Sequence, residues 1–182
     1  MVVLTHLGAN LDSRDPRIVD GLVEVRQVIA VGYRGVGAST EHIRDSIEDM
    51  AEGMLAVIRA PAYDRVDFFG IPMGGMVAQA IISQAPERRA GRDWPGKARV
   101  YPAQLAAVHR WGPQQTADLS PFTGPVLIVH GHSDRMVPPA NATGLAKRLP
   151  SASVTSFPDS GHGLAVQNRR AFVSAARTFL RR

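Results

Sequence analysis

The chain of 182 residues contains no cysteine, which excludes disulfide bonds, thiolate metal sites and a cysteine nucleophile together. It also lacks long hydrophobic runs, because no stretch approaches the roughly 18 apolar residues that span a bilayer. A basic start followed by an apolar core, the pattern of a signal peptide, is missing as well. We therefore expect a cytoplasmic protein that makes no contact with a membrane.

The composition is that of an ordinary globular domain, with 45% hydrophobic and 20% charged residues. This length is enough for one well-buried domain and short for two, so we expect a single domain over residues 1–182. The formal net charge of +5 raises the possibility of an acidic partner. The basic residues are diffuse and have neither interleaved aromatics nor a recognisable nucleic-acid motif, so we expect no nucleic-acid binding.

Short apolar segments alternate with helical segments along most of the chain. Strands are predicted at residues 2–4, 27–31, 66–70, 125–130 and 153–157, and helices from residue 16 and at 46–59, 74–84, 103–111, 141–149 and 170–180. This alternation predicts an α/β fold, a three-layer sandwich with a mainly parallel sheet between helices. Apart from the short helix at 103–111, residues 85–120 show no clear hydrophobic period. We therefore expect this segment to be a vestigial lid or an irregular connection.

The turn after the third predicted strand reads Gly70-Ile71-Pro72-Met73-Gly74, the setting of a G-x-S-x-G nucleophile elbow with proline where serine should stand. Proline has no hydroxyl, so a covalent intermediate at Pro72 is chemically excluded. Its ring also fixes φ near about −65°, whereas the central residue of an elbow is usually strained. We expect a relaxed turn with Pro72 at the start of the helix, and a connection without any chemistry stays an open alternative.

Two further polar loops follow predicted strands directly, where an open α/β sheet places its ligands. Asp134 lies in the loop after the fourth strand, and His162 lies between two glycines after the fifth. Each residue has a plain structural reading, because aspartate side chains cap turns readily and a histidine in a glycine turn can simply be exposed. The order of turn, aspartate and histidine nevertheless matches nucleophile, acid and base in one type of hydrolase.

These three turns resemble those of the α/β-hydrolase superfamily, in particular its small esterases, perhydrolases and C–C hydrolases, which read G-x-S-M-G-G, G-x-x-D-x-x-V-P and G-H-G. The resemblance implies an α/β-hydrolase-like fold whose N-terminal strands and lid are reduced. It also implies that Asp134 supports His162 as general base. The backbone N–H groups of Leu7 and Met73 would form an oxyanion hole, and Pro72 would occupy an inactive nucleophile position.

The function implied by this resemblance is ester-type hydrolysis of a small molecule, weak or absent because the nucleophile is missing. One alternative is an enzyme that uses the His162 and Asp134 pair for acid–base chemistry without a nucleophile. Another is a non-catalytic binding or interaction module, and an exposed sheet edge would then favour a homo-oligomer. No cofactor is implied. His6, His130 and His132 have no carboxylate that completes a motif, so we expect no metal site.

Overall fold

The computed structural model of the protein describes residues 1–39, 42–60, 65–84, 100–114 and 117–182. This part of the chain forms two compact units. The first comprises Met1–Arg14 and Val28–Ala117, and the second comprises Asp15–Gln27 and Asp118–Arg182. The expectation of a single domain over residues 1–182 stays a prediction.

Strands and helices alternate in the described residues, as the sequence predicts. The strands are β1 (Val2–Leu4), β2 (Ile29–Ala30), β3 (Phe68–Gly70), β4 (Val126–Gly131) and β5 (Ala152–Phe157). The helices are α1 (Pro16–Val23), α2 (Ile47–Arg59), α3 (Met73–Gln84), α4 (Val100–Trp111), α5 (Pro139–Lys147), α6 (Leu164–Gln167) and α7 (Arg169–Leu180). A short 3-10 helix at Leu11–Ser13 completes the described secondary structure.

The first unit is built on a three-stranded parallel sheet in the order β2-β1-β3. Every residue of the central strand β1 is buried, and its bounds match the strand predicted at residues 2–4. Helix α2 begins at a serine cap, where Ser46 Oγ accepts from the backbone N–H of Asp49 at 3.1 Å. Its buried face joins that of α3 and the side chains of β1 in one apolar core. Burying each large side chain there contributes about 1.5–3 kcal/mol.

The second unit contains the parallel pair β4 and β5, which stay in register from Val126 opposite Ala152 to Gly131 opposite Phe157. Helix α1 starts at residue 16, as predicted. Asp15 caps it ahead of the proline, with the backbone N–H of Arg17 donating to Asp15 Oδ1 at 3.0 Å. It packs against the terminal helix α7, where Gly21 leaves no room for a Cβ beside the side chain of Val173.

The second predicted strand, residues 27–31, is shorter than expected. Only Ile29 and Ala30 pair with β1. The ladder stops beyond Ala30, where the carbonyl oxygens of Val3 and Val31 both accept from Nη2 of Arg14, each at 3.0 Å. The guanidinium thus takes acceptors that a longer strand ladder would need. The hydrophobic pattern of the sequence does not predict this contact, because Arg14 is far along the chain from both carbonyl groups.

The predicted helix at 141–149 begins two residues early, at Pro139, because proline fits the first helical turn without losing a hydrogen bond. The one-turn helix α6 was not predicted. Much of the expected lid or irregular connection at residues 85–120 falls at residues 85–99 and 115–116, outside the described residues. Within the described part of that segment, the predicted helix is confirmed as α4. No helix in the described ranges is both long and apolar enough to cross a membrane.

Candidate active site

The loops that follow β4 and β5 are held together by their backbones. Because parallel neighbouring strands end at the same edge of a sheet, both loops start side by side. The N–H of His132 donates to the carbonyl of Phe157 and that of Ser133 to the carbonyl of Ser160, both at 2.9 Å. A Cβ on Gly131 would lie 2.4 Å from the carbonyl oxygen of Gly161, so only glycine permits this approach.

This arrangement brings together the predicted acid and base. Nδ1 of His162 lies 2.9 Å from Oδ2 of Asp134. The Asp134 side chain is 5% exposed, whereas that of His162 is 30% exposed. With Nδ1–H donating to the carboxylate, Nε2 carries the lone pair and is the atom that can accept a proton.

The carboxylate of Asp134 is fixed independently of the histidine. Its Oδ1 accepts from the backbone N–H groups of Met136 at 2.8 Å and Val137 at 2.9 Å. Burial is the largest influence and favours the neutral carboxyl, but these two donors and His162 together outweigh it, so that the pKa of Asp134 is lowered from its usual value. Asp134 is therefore ionised at neutral pH and can support an imidazolium.

The histidine loop has further support that the sequence analysis missed. Asn168 Nδ2 donates to Oγ of Ser160, which is 1% exposed. The backbone N–H of Gly161 donates to Oε1 of Gln167 at 3.2 Å. The partners in these two contacts are eight and six residues apart in the chain. Neither contact follows from the hydrophobic periodicity of the sequence, so the sequence did not predict them.

In the first unit, Pro72 stands between β3 and α3, as predicted. Its carbonyl accepts from the N–H groups of Gly75 at 3.0 Å and Met76 at 3.3 Å, so Pro72 is the cap residue immediately before α3. No backbone donor is lost there, because the first N–H groups of a helix have no partner within it. The side chain presents only ring carbons.

Two glycines of this turn allow the helix to approach the sheet. A Cβ on Gly74 would lie 2.5 Å from the carbonyl oxygen of Leu4, and one on Gly70 would lie 2.5 Å from the carbonyl carbon of Gly74. Gly75 has open space instead. Close packing therefore explains the glycines at positions 70 and 74, whereas it does not explain Gly75.

The two oxyanion-hole candidates lie at the same edge of the first unit's sheet. Leu7 follows β1, and Met73 is the first residue of α3, the helix that follows β3. The strands β1 and β3 are parallel neighbours. Neither backbone N–H donates a hydrogen bond to another described residue. The loop after Leu7 is held because the N–H of Gly8, at φ 72°, donates to Oε1 of Gln104 at 2.7 Å.

Gln104 was also missed by the sequence analysis. It is fully buried on α4, 96 residues from its partner Gly8, and its Nε2 has no hydrogen-bond partner among the residues that the structure describes. A glutamine on the inner face of a helix was the only available signal. Within the described residues, no three histidine, aspartate or glutamate side chains are grouped so that they could hold a metal ion.

Comparisons with known proteins agree with this description. A protein-family model described as TAP-like protein, of the abhydrolase type, matches residues 98–182. A pimeloyl-[acyl-carrier protein] methyl ester esterase from Nitrosomonas europaea is 26% identical over 223 aligned residues, which cover 86% of each chain.

Solved structures resemble the chain over nearly its whole length. An α/β-hydrolase fold protein from Chitinophaga pinensis matches with a TM-score of 0.85 and 24% identity, covering 98% of this chain and 88% of the other. A hydrolase from Pseudomonas aeruginosa matches with a TM-score of 0.79 and 20% identity, at the same coverage of 98% and 88%. The protein has the α/β-hydrolase fold, and the comparisons together support the α/β-hydrolase superfamily.

Proposed function

We propose, on the premise that this chain is an α/β-hydrolase-fold protein of esterase-like type, that it retains the proton-transferring pair of a small-molecule ester hydrolase without its covalent nucleophile. The observation that carries the proposal is the 2.9 Å contact between His162 and Asp134 in a chain with Pro72 at the elbow. A pair assembled and fixed by backbone donors can move protons, whereas Pro72 cannot attack a carbonyl.

The chemistry left to such a protein is limited. Nε2 of His162 can take a proton from a bound group, and Asp134 stabilises the imidazolium that results. The N–H groups of Leu7 and Met73 are the donors assigned by resemblance to the developing oxyanion. Removing a triad nucleophile leaves about 10³–10⁴-fold acceleration over water in well-formed sites, so turnover is expected to be very slow.

The substrate class follows from the relatives. The Nitrosomonas europaea relative is named for cleavage of a methyl ester, and this supports an ester-type carbonyl as the group that the present chain binds. The hydrolase fold of the structural neighbours is consistent with this choice.

Hydrolysis of p-nitrophenyl acetate tests the proposal. We expect the native chain and a His162→Ala variant to show equal, near-background rates. We expect Pro72→Ser to gain activity that disappears in the Pro72→Ser/His162→Ala double variant, whereas the matched Pro72→Ala variant stays inactive. A burst of p-nitrophenolate from the native chain would contradict the proposal, because a burst requires a covalent intermediate.

A second candidate function rests on the same contact between the two side chains. General-base catalysis alone contributes about 10²–10⁴-fold, which suffices to abstract a proton from an acidic organic substrate. The test is a pH–rate profile with an activated ketone or a hydroxyquinolone. A single apparent pKa that is lost in His162→Ala supports proton abstraction. A flat profile in both proteins argues against it and leaves a non-catalytic binding module.

A further inference from the structure

The second unit carries a charged groove that the proposed function does not use. Helices α1 and α7 form its walls, and it encloses about 580 Å³. Five arginines and two carboxylates line it together with the hydroxyls of Ser174 and Thr178. Gly21 and Val173 contribute to its lining between the two helices. The groove is therefore positive overall and has polar and apolar surface side by side.

Three of these arginines are committed to carboxylates of the same unit. Arg17 lies 2.8 Å and Arg169 lies 3.9 Å from Oδ2 of Asp15. Arg177 pairs with Glu24 and donates through Nε to the carbonyl of Gly21 at 2.6 Å. The contacts of Arg169 and Arg177 link α7 to α1, whereas the pair of Arg17 and Asp15 lies within the start of α1. All three pairs leave little of the arginine charge for a ligand.

The other two, Arg170 and Arg181, are exposed, and neither side chain makes an ion pair or hydrogen bond with another described residue. They are eleven positions apart, which is close to three helical turns, so both project from the same face of α7. At about 1.5 Å per residue, the two positions are about 16 Å apart along the helix axis. Two free guanidinium groups thus stand at the two ends of one groove.

We propose that this groove binds an acidic helical segment of a partner protein, with one carboxylate at Arg170 and another at Arg181. The carboxylate of Asp20 on the opposite wall repels a continuous row of phosphates, which disfavours nucleic acid. A peptide helix places its own glutamates eleven residues apart on one face and presents neutral side chains between them.

The test is fluorescence anisotropy with a labelled 16-residue helical peptide that carries two glutamates eleven residues apart, and with a matched peptide in which both are glutamine. We expect the native full chain to bind the glutamate peptide in a salt-sensitive way and to bind the glutamine peptide about tenfold more weakly. Arg170→Gln/Arg181→Gln should lose about tenfold in affinity for the glutamate peptide. Arg59→Gln/Lys147→Gln removes an equal number of positive charges outside the groove. This control variant should bind the glutamate peptide as tightly as the native chain does.

Circular dichroism melting of each variant separates loss of binding from loss of fold. Equal affinity of the Arg170→Gln/Arg181→Gln variant and the native chain for the glutamate peptide overturns the proposal. So does an absence of binding by the native chain at millimolar peptide. Tighter binding of a duplex DNA of equal length, lost in the same double variant, identifies the groove as a nucleic-acid surface and overturns the choice of partner.

Discussion

Nδ1 of His162 lies 2.9 Å from Oδ2 of Asp134, although 28 residues separate the two in the chain. Two parallel strands in register deliver both loops to one edge, and Gly131 allows the loops to touch. Asp134 is held by two backbone N–H groups whether or not the histidine is present. The acid is therefore preorganised, and the base is the more exposed and adaptable member of the pair.

Asp134→Asn is expected to destabilise the protein by about 1–3 kcal/mol at pH 7, because a buried charged acceptor of three hydrogen bonds becomes a neutral one. The folded-state pKa of Asp134 lies below its unfolded value, so its contribution is full above the unfolded pKa, about 3.9. It is lost as pH falls through the folded pKa. Urea unfolding at several pH values should show the gap between native and variant closing below about pH 4.

The neighbouring Asp159→Asn is the matched control, because this aspartate lies in the histidine loop and is exposed. Its unfolding free energy should stay within about 0.5 kcal/mol of the native value. A gap for Asp134→Asn that persists unchanged to pH 2 would show that lost packing, and not the lost charge, causes the destabilisation.

Gly131→Ala is expected to cost at least about 1–3 kcal/mol, because its Cβ would press on backbone carbonyls of Ser160 and Gly161 that no side-chain rotation can move. Gly144→Ala in α5 is the control, since a Cβ there meets open space and alanine favours the helix by about 1 kcal/mol. Thermal melting compares the two variants. Equal melting temperatures would mean that the two loops are not in backbone contact.

A similar pair tests the turn around Pro72. Gly74→Ala places a methyl group 2.5 Å from the carbonyl oxygen of Leu4 and should destabilise by about 1–3 kcal/mol. Gly75→Ala enters open space one residue later and should be neutral or stabilising by up to about 1 kcal/mol. Chemical unfolding of both variants measures the difference. If Gly74→Ala is as stable as Gly75→Ala, α3 does not pack on β1 as closely as described.

Apart from the short helix α6, the sequence was sufficient for the order of the described strands and helices and for the residues at the strand ends. The cap at Asp15 followed by Pro16 placed the start of α1 correctly, because capping depends on neighbours in the chain. The start of α2 was predicted one residue early, at Ser46, which caps the helix. Asp134 and His162 could be paired from sequence since both follow strands of one parallel sheet. The predicted roles of Pro72, Leu7 and Met73 stay predictions.

The remainder depends on contacts between residues distant in sequence. Arg14 shortens β2 by bonding to carbonyls eleven and seventeen residues away, and Gln104 reaches Gly8 from 96 residues away. Local periodicity contains no information about such partners. The buried link between Ser160 and Asn168 was missed for a related reason, because each residue alone is typical of a turn or a helix end.

Intact-mass spectrometry after treatment with a fluorophosphonate tests the central claim most directly, because this reagent phosphonylates an activated serine nucleophile. The account predicts no adduct on the native chain or on Pro72→Ala, and one adduct on Pro72→Ser that is lost when His162→Ala is added. A single adduct on the native chain that disappears in His162→Ala would contradict the account, since it would reveal a histidine-activated nucleophile other than residue 72.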